Sequence, residues 1–451
     1  MKIRSALALF ALSALTFLVT YWLKSASDVP FLYSLIHPSP ELTKGLWLLP
    51  LATAFILAAR SHVPEWAVVG FYLAFFALIS PTLAFAIALI GVTISFFLIE
   101  DSLPRKGKFA HGWGLIIPTF TVLLAYAPVL LYTLELRLSF FQFFCVIVFK
   151  ASLAMRMISW VVHKRVYKRT TFPTLREYLE FLYCPVFFVA PGQIQFFLYD
   201  YFHQSKTLKG SGEHGEFRSL ALALWGLALM VLFSFMSYFF THTLFSLPGA
   251  FEGLKLWLLH FAFGFYWLIA IYFQQTAGMS YQVGIARLMG YRFKYDMHWP
   301  LLARSPIDYL RRHSSYVRDY IVEVGLKPTA LPLIRRDISP YLVYPLMSFV
   351  SYAVFIGAQT GYRTDTNRPW LETLGLIVFL LIYLILPTLK QLFRKLLNRP
   401  SSPATTLASG LDEKPIRRWT AYDYLAWIGT LSLLSLSKAV LGLARVVSIQ
   451  N

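Results

Sequence analysis

Apolar stretches near the length of a bilayer crossing recur along almost the whole chain, near 5–23, 45–60, 65–80, 82–99, 113–133, 138–162, 216–240, 252–275, 339–361, 371–389 and 421–443. A spanning helix needs about 20 such residues, so about eleven crossings are expected. Backbone inside a bilayer has no water to bond, which leaves helices as the spanning element. The expected fold is therefore all-α, a polytopic integral membrane protein of about eleven transmembrane helices plus re-entrant segments. With 57% hydrophobic and 14% charged residues, and a mean hydropathy of +0.58, the composition suits lipid better than a soluble surface.

The formal charge of +19 would suit nucleic acid, but Lys and Arg cluster in short segments between apolar runs, where they report orientation instead. No nucleic-acid partner is expected. Arg105, Lys106 and Lys108 mark one cytoplasmic loop, and Lys164, Arg165, Lys168, Arg169 and Arg176 mark another two crossings later. The turns around Ser80-Pro81 and Glu135 to Arg137 carry almost no net charge and belong outside.

Segment 178–201 is apolar but broken by Cys184-Pro185 and Pro191-Gly192. If it crossed, the basic stretch 285–336 would face outside, so a re-entrant half-helix pair is expected, with a Pro-kinked crossing as the alternative. The amino terminus is then cytoplasmic, as is the basic linker 390–418, and the carboxy terminus lies outside. Lys2 and Arg4 ahead of the first apolar run resemble a signal peptide, but the run is long and ends in Tyr21-Trp22, which favours an uncleaved anchor. Cys145 and Cys184 sit in apolar surroundings without metal-type spacing, and no metal site is expected.

Three short motifs stand out. Gly284-Ile285-Ala286-Arg287-Leu288-Met289-Gly290-Tyr291 precedes Ser305-Pro306-Ile307-Asp308-Tyr309-Leu310-Arg311-Arg312-His313, and Arg318-Asp319-Tyr320 follows. Upstream lies Cys184-Pro185-Val186-Phe187-Phe188-Val189-Ala190-Pro191-Gly192. Together these segments resemble the core of the membrane-bound O-acyltransferases (MBOAT), nearest in pattern to bacterial alginate O-acetyltransferases and teichoic-acid D-alanyltransferases. The likeness covers roughly 160–390 and is strongest over 276–320. Its upstream Gly and Pro are in reversed order, and the Arg312 to Arg318 spacing is about one helical turn shorter than in the family.

The resemblance implies one multi-pass domain over 1–451, with helices 1–159 leading into a core at 160–390, and a linker and last helix at 400–451. It also implies a bacterial inner-membrane location. The implied activity moves an acyl group from a cytoplasmic thioester to a hydroxyl of an envelope polysaccharide or lipid. Acyl-coenzyme A or an acyl-carrier thioester would be the donor, with no tightly bound cofactor. Membrane lipid and an acyl-carrier or polysaccharide-modification protein would be the partners. Arg311, Arg312 and Arg318 would hold the donor phosphates, while Arg287, Gly290, Asp319, Pro185 and Gly192 would shape the motifs.

Transfer to a hydroxyl needs a proton acceptor, and an imidazole titrates near operating pH. His313 is the histidine inside a motif. The family places a second, catalytic histidine on a later helix, but here no histidine follows His313, and the matching stretch from Ser348 to Ala358 holds none. His242 and His260, near helix ends, are weaker candidates, and His163, His203 and His214 are expected to sit idle in basic loops. Two alternatives remain: a non-catalytic relative that binds lipid or a partner, and a transporter or flippase, for which intramembrane charges are few.

Overall fold

The computed structural model describes residues 7–12, 14–15, 18, 48–53, 64–80, 82–102, 153, 155–164, 174–188, 199, 202–203, 215–246, 269, 272–273, 276–291, 293, 295, 300–303, 312, 319, 424–425, 427–429 and 431–432. Among them every regular element is helical and none is a strand. The chain divides into two compact units, one of Met1–Pro248 with Phe273–Asp296, the other of Gly249–Tyr272 with Met297–Asn451.

The first unit begins with a helical hairpin, α1 (Glu65–Ile79) and α2 (Leu83–Ser102), which pack on each other. Their connection is so short that they run antiparallel. Among the described residues, α2 is the one helix with both the length and the apolar character of a membrane span, whereas α1 and Phe217–Phe233 are apolar but shorter. Both hairpin helices are apolar all round. They bury one side, with Tyr72, Phe76, Leu89 and Phe96 among its residues, and leave Trp66, Leu78, Ile87 and Leu98 exposed. Of the remaining expected spans, 113–133, 339–361 and 371–389 lie outside the described residues, and several others are described only in part.

Helix α3 covers 155–164 and α4 covers Leu175–Tyr183. Thr174 starts α4 with a capping box: its hydroxyl accepts from Glu177 N–H, and the Glu177 carboxylate accepts from Thr174 N–H. Two first-turn amides are thereby satisfied. The helix ends at Cys184, because Pro185 disfavours helical backbone before it, and the chain tightens into a 3-10 turn, Pro185–Phe188. Whether the segment then turns back or crosses lies at 189–198, outside the described residues. Both α4 and the 3-10 turn pack on α1.

Helix α5 (Glu216–Ser246) has 31 residues, longer at both the sequence and membrane scale than the expected 216–240. At 1.5 Å per residue it reaches roughly 46 Å. It crosses α6, over 276–288, with almost nothing between the two backbones. A Cβ on Gly226 would lie 2.6 Å from Tyr281 N, and one on Gly284 would lie 2.6 Å from Ala223 N. The two glycines thus form a reciprocal crossing of the kind that lets membrane helices touch along their main chains.

In the second unit, Pro300–Leu302 forms a 3-10 turn that accepts a 2.7 Å hydrogen bond from Trp427 Nε1 at the Leu301 carbonyl. This ties a residue of the last apolar run to the segment just before the Arg311-Arg312 motif.

Candidate functional site

The first unit brings together two of the motif segments, and each motif residue there has a definable job. Gly284 provides the backbone crossing with α5. Arg287 donates from Nε to the Phe293 carbonyl at 2.9 Å, which holds the chain as it leaves α6. Gly290 has φ 97°, a left-handed conformation that glycine adopts without steric cost and that ends a helix. The reversal is closed by Gly290 N–H to Arg287 O at 3.0 Å and Tyr291 N–H to Ala286 O at 2.9 Å.

That turn drives Tyr291 inward, where it is buried, between α1 and α4. Its hydroxyl donates to Glu180 Oε1 at 2.9 Å and lies 2.9 Å from the Tyr72 hydroxyl. Since the Tyr291 proton is directed at Glu180, Tyr72 supplies the proton of the second bond. The result is a directed chain, Tyr72 to Tyr291 to Glu180, linking α1, the motif turn and α4.

The Pro185–Phe188 turn meets residues that flank this motif in sequence. Gln282 Nε2 donates to the Val186 carbonyl at 3.2 Å, and Phe187 stacks on Phe293 with ring centroids 5.9 Å apart. Behind the turn the Arg156 guanidinium lies 4.6 Å from the ring centroids of both Phe187 and Phe188. Arg156 is fully buried. The delocalised, weakly hydrated guanidinium suits such ring faces better than an ammonium would. Two ring groups line this core: Phe76 meets Tyr183 and Phe188, and Trp160 meets Tyr178 and Phe97. Tyr183 donates to Thr93 Oγ1 at 2.8 Å, the Thr93 proton being engaged by Ile90 O.

No protein-family model and no curated protein matches this chain. The motif resemblance and the geometry therefore stand by themselves.

Of the site residues expected from sequence, Pro185, Arg287 and Gly290 fall in this assembly. Arg312 and Asp319 are half-buried helical residues of the second unit. His313, Arg311, Arg318 and Gly192 lie outside the described residues. Among the described residues no group of three or more His, Cys, Asp or Glu side chains has metal-binding geometry.

His163 departs from its expected place in an idle loop. It occupies the last turns of α3, is buried, and meets the edge of the Tyr199 ring at 4.9 Å between centroids, while His203 stacks on Tyr199 at 6.1 Å. The helix runs further into the basic segment than charge alone implied, because Val161 and Val162 are both buried and carry the next two residues inward.

Arg156, Glu180 and Tyr72 were not singled out by sequence. Arg156 had a signal, as one of two charges, with Lys150, inside the apolar run 138–162, and Glu180 had a weaker one, as a carboxylate four residues from Cys184-Pro185. Tyr72 had none.

Proposed function

We propose that the chain is a polytopic membrane protein of the O-acyltransferase type, which passes an acyl group from a cytoplasmic thioester, acyl-coenzyme A or an acyl-carrier conjugate, to a hydroxyl of an envelope polysaccharide or lipid. The observation that carries this reading is that the motif segment 184–188 packs against the residues on either side of the motif 284–291, through Gln282 to Val186 and through the Phe187 and Phe293 rings. Segments about a hundred residues apart in sequence, chosen only for their likeness to one family, share one core.

Charge placement supports the membrane setting. The feet of the α1–α2 hairpin carry Glu65, paired with Arg176, and Asp101, paired with Lys164. The far end, at Ser80 and Thr82, carries no charge. A hairpin with ion pairs at one end, an uncharged tip and apolar outer faces fits a bilayer with the basic segment 164–176 on the cytoplasmic side. In the second unit Arg311, Arg312 and Arg318 are the proposed phosphate ligands, and His313 the proposed proton acceptor.

One feature favours a second reading, a non-catalytic relative that binds lipid or a partner protein: no histidine follows His313. Purified wild type and His313→Ala, assayed with labelled acetyl-coenzyme A and a D-alanyl carrier-protein thioester, decide between them. Transfer by the wild type that collapses in the variant is the expected result. No transfer by the wild type, together with retained binding of an acyl-donor analogue, establishes the non-catalytic reading instead.

A further inference from the structure

A tryptophan near the end of a membrane-length apolar run ordinarily belongs to the interfacial belt, with its indole N–H turned to water or headgroups. Trp427, near the start of the run 421–443, departs from that pattern. Its Nε1 donates to the main-chain carbonyl of Leu301 at 2.7 Å, the short end of the range for such bonds. An indole nitrogen is a donor only, so the direction of the bond is fixed. Leu431, one helical turn on, is buried, whereas Leu425, Ile428 and Gly429 are exposed. The indole therefore lies on the inward face of the last helix and grips the 3-10 turn Pro300–Leu302.

That turn is the threshold of a motif. Ala303, two residues past the bonded carbonyl, has no exposed surface, and Arg312 is half-buried in helical backbone. Arg311 follows Leu301 by ten residues, and all of these belong to the second unit.

We infer that Trp427 is a positioning residue for the thioester donor. By holding the 300–303 segment it sets the point from which the Arg311-Arg312 motif departs, and so where the two guanidinium groups meet the donor phosphates. The inference rests on the acyltransferase reading and gives the last helix a part in donor binding, although the motif resemblance ends near 390. Trp427 acts through the main chain between 301 and 311. Forked guanidinium–phosphate bonds are sensitive to placement, so a loosened starting point weakens them. Phosphates remote from the thioester are held alike in the ground and transition states, and their loss raises KM while kcat is kept.

The test uses the full-length protein in reconstituted bilayers: wild type, Trp427→Phe, and a form carrying benzothienylalanine at this position, which keeps the fused rings and replaces the N–H by sulfur. Labelled acetyl-coenzyme A and the D-alanyl carrier thioester serve as donors with hydroxyl-bearing polysaccharide acceptors. Binding of coenzyme A and of the phosphopantetheine-bearing carrier protein is measured in parallel. Losing the N–H should raise the donor KM, or Kd where the wild type binds without transferring, about three- to tenfold, the factor of one net hydrogen bond. The value of kcat should stay within about twofold. A bond that served only the fold would instead shrink the active fraction, lowering apparent kcat at an unchanged KM. Leu425→Ala, on the exposed face, should leave both constants as they are. If Trp427→Phe does not fold, the isosteric benzothienylalanine form decides. KM and Kd within about twofold of wild type in a folded form lacking the N–H overturn the inference and leave the acyltransferase reading intact. A wild type that neither transfers an acyl group nor binds either donor overturns that reading, and the inference with it.

Discussion

The first unit joins its helices in two ways. Where α5 crosses α6, Gly226 and Gly284 bring main chain against main chain. Where α1, α2, α3 and α4 meet, the contact is made by rings: Trp160 lies 4.7 Å from Tyr178 and 5.4 Å from Phe97, and Phe76 lies 5.0 Å from Tyr183 and from Phe188. The glycine crossing derives its strength from the absence of atoms, so any added carbon meets backbone that has nowhere to go. The ring layer derives its strength from the presence of atoms, so it fails by subtraction. The motif turn reaches both regions, with Gly284 in the crossing and Tyr291 hydrogen-bonded to Tyr72 of α1 and Glu180 of α4.

The sharpest way to break that comparison is Gly284→Leu. A Cβ there already falls 2.6 Å from Ala223 N and 2.7 Å from Ser219 O, and the remaining side chain has to separate the helices. Overpacking typically costs about 1–3 kcal/mol, and more where, as here, the atoms met are main chain that cannot step aside, a large part of a domain's stability. The expected outcome is no monodisperse protein in detergent size-exclusion chromatography. A folded Gly284→Leu with wild-type melting behaviour would show that the crossing is not a tight joint.

How far these joints can be read from sequence differs in the same way. The motif residues were visible because their types are restrictive: Gly290 at φ 97° and Gly284 under Ala223 are positions that other residues fill only with strain. The capping box of α4 was also written in the order Thr174, Leu175, Arg176, Glu177. Gly226 offered less, since a glycine in an apolar run does not name its partner. The Tyr72–Tyr291 and Tyr291–Glu180 bonds join residues 219 and 111 positions apart, and hydroxyl groups in apolar helices carry no mark of whom they will meet. His163 was misplaced for a related reason: the basic residues after it suggested a loop, while the burial of Val161 and Val162 extended the helix through it.

Subtraction from the ring layer gives the next largest effect. Trp160 is buried and touches rings from α2 and α4, so Trp160→Ala leaves a cavity at the meeting point of three helices. Substitutions of this class cost about 3–5 kcal/mol, part of which the rings recover by closing in. Trp160→Phe should cost much less, because it keeps a ring in the layer. If the alanine and phenylalanine variants unfold at the same temperature in a reconstituted thermal assay, ring contact is not what joins α3 to α2 and α4.

The smallest effect is expected at the hairpin foot, where neither mechanism operates. Lys164 Nζ donates to the Glu100 carbonyl at 3.0 Å and to Asp101 Oδ1 at 3.2 Å, and lies 5.1 Å from the Trp160 ring centroid. The lysine side chain is 5% exposed but that of Asp101 is 49% exposed. A carboxylate so open to water is screened, and the pair contributes below about 0.5 kcal/mol. The carbonyl bond is the stronger restraint, since an ammonium at the end of α2 also satisfies an otherwise open helix terminus and its dipole. Asp101→Asn should therefore leave the melting temperature almost unchanged, whereas Lys164→Met, which removes both bonds while keeping the length of the side chain against Trp160, should lower it measurably. Equal losses in the two variants would mean that the ion pair, rather than the carbonyl bond and the ring, secures the foot of the hairpin.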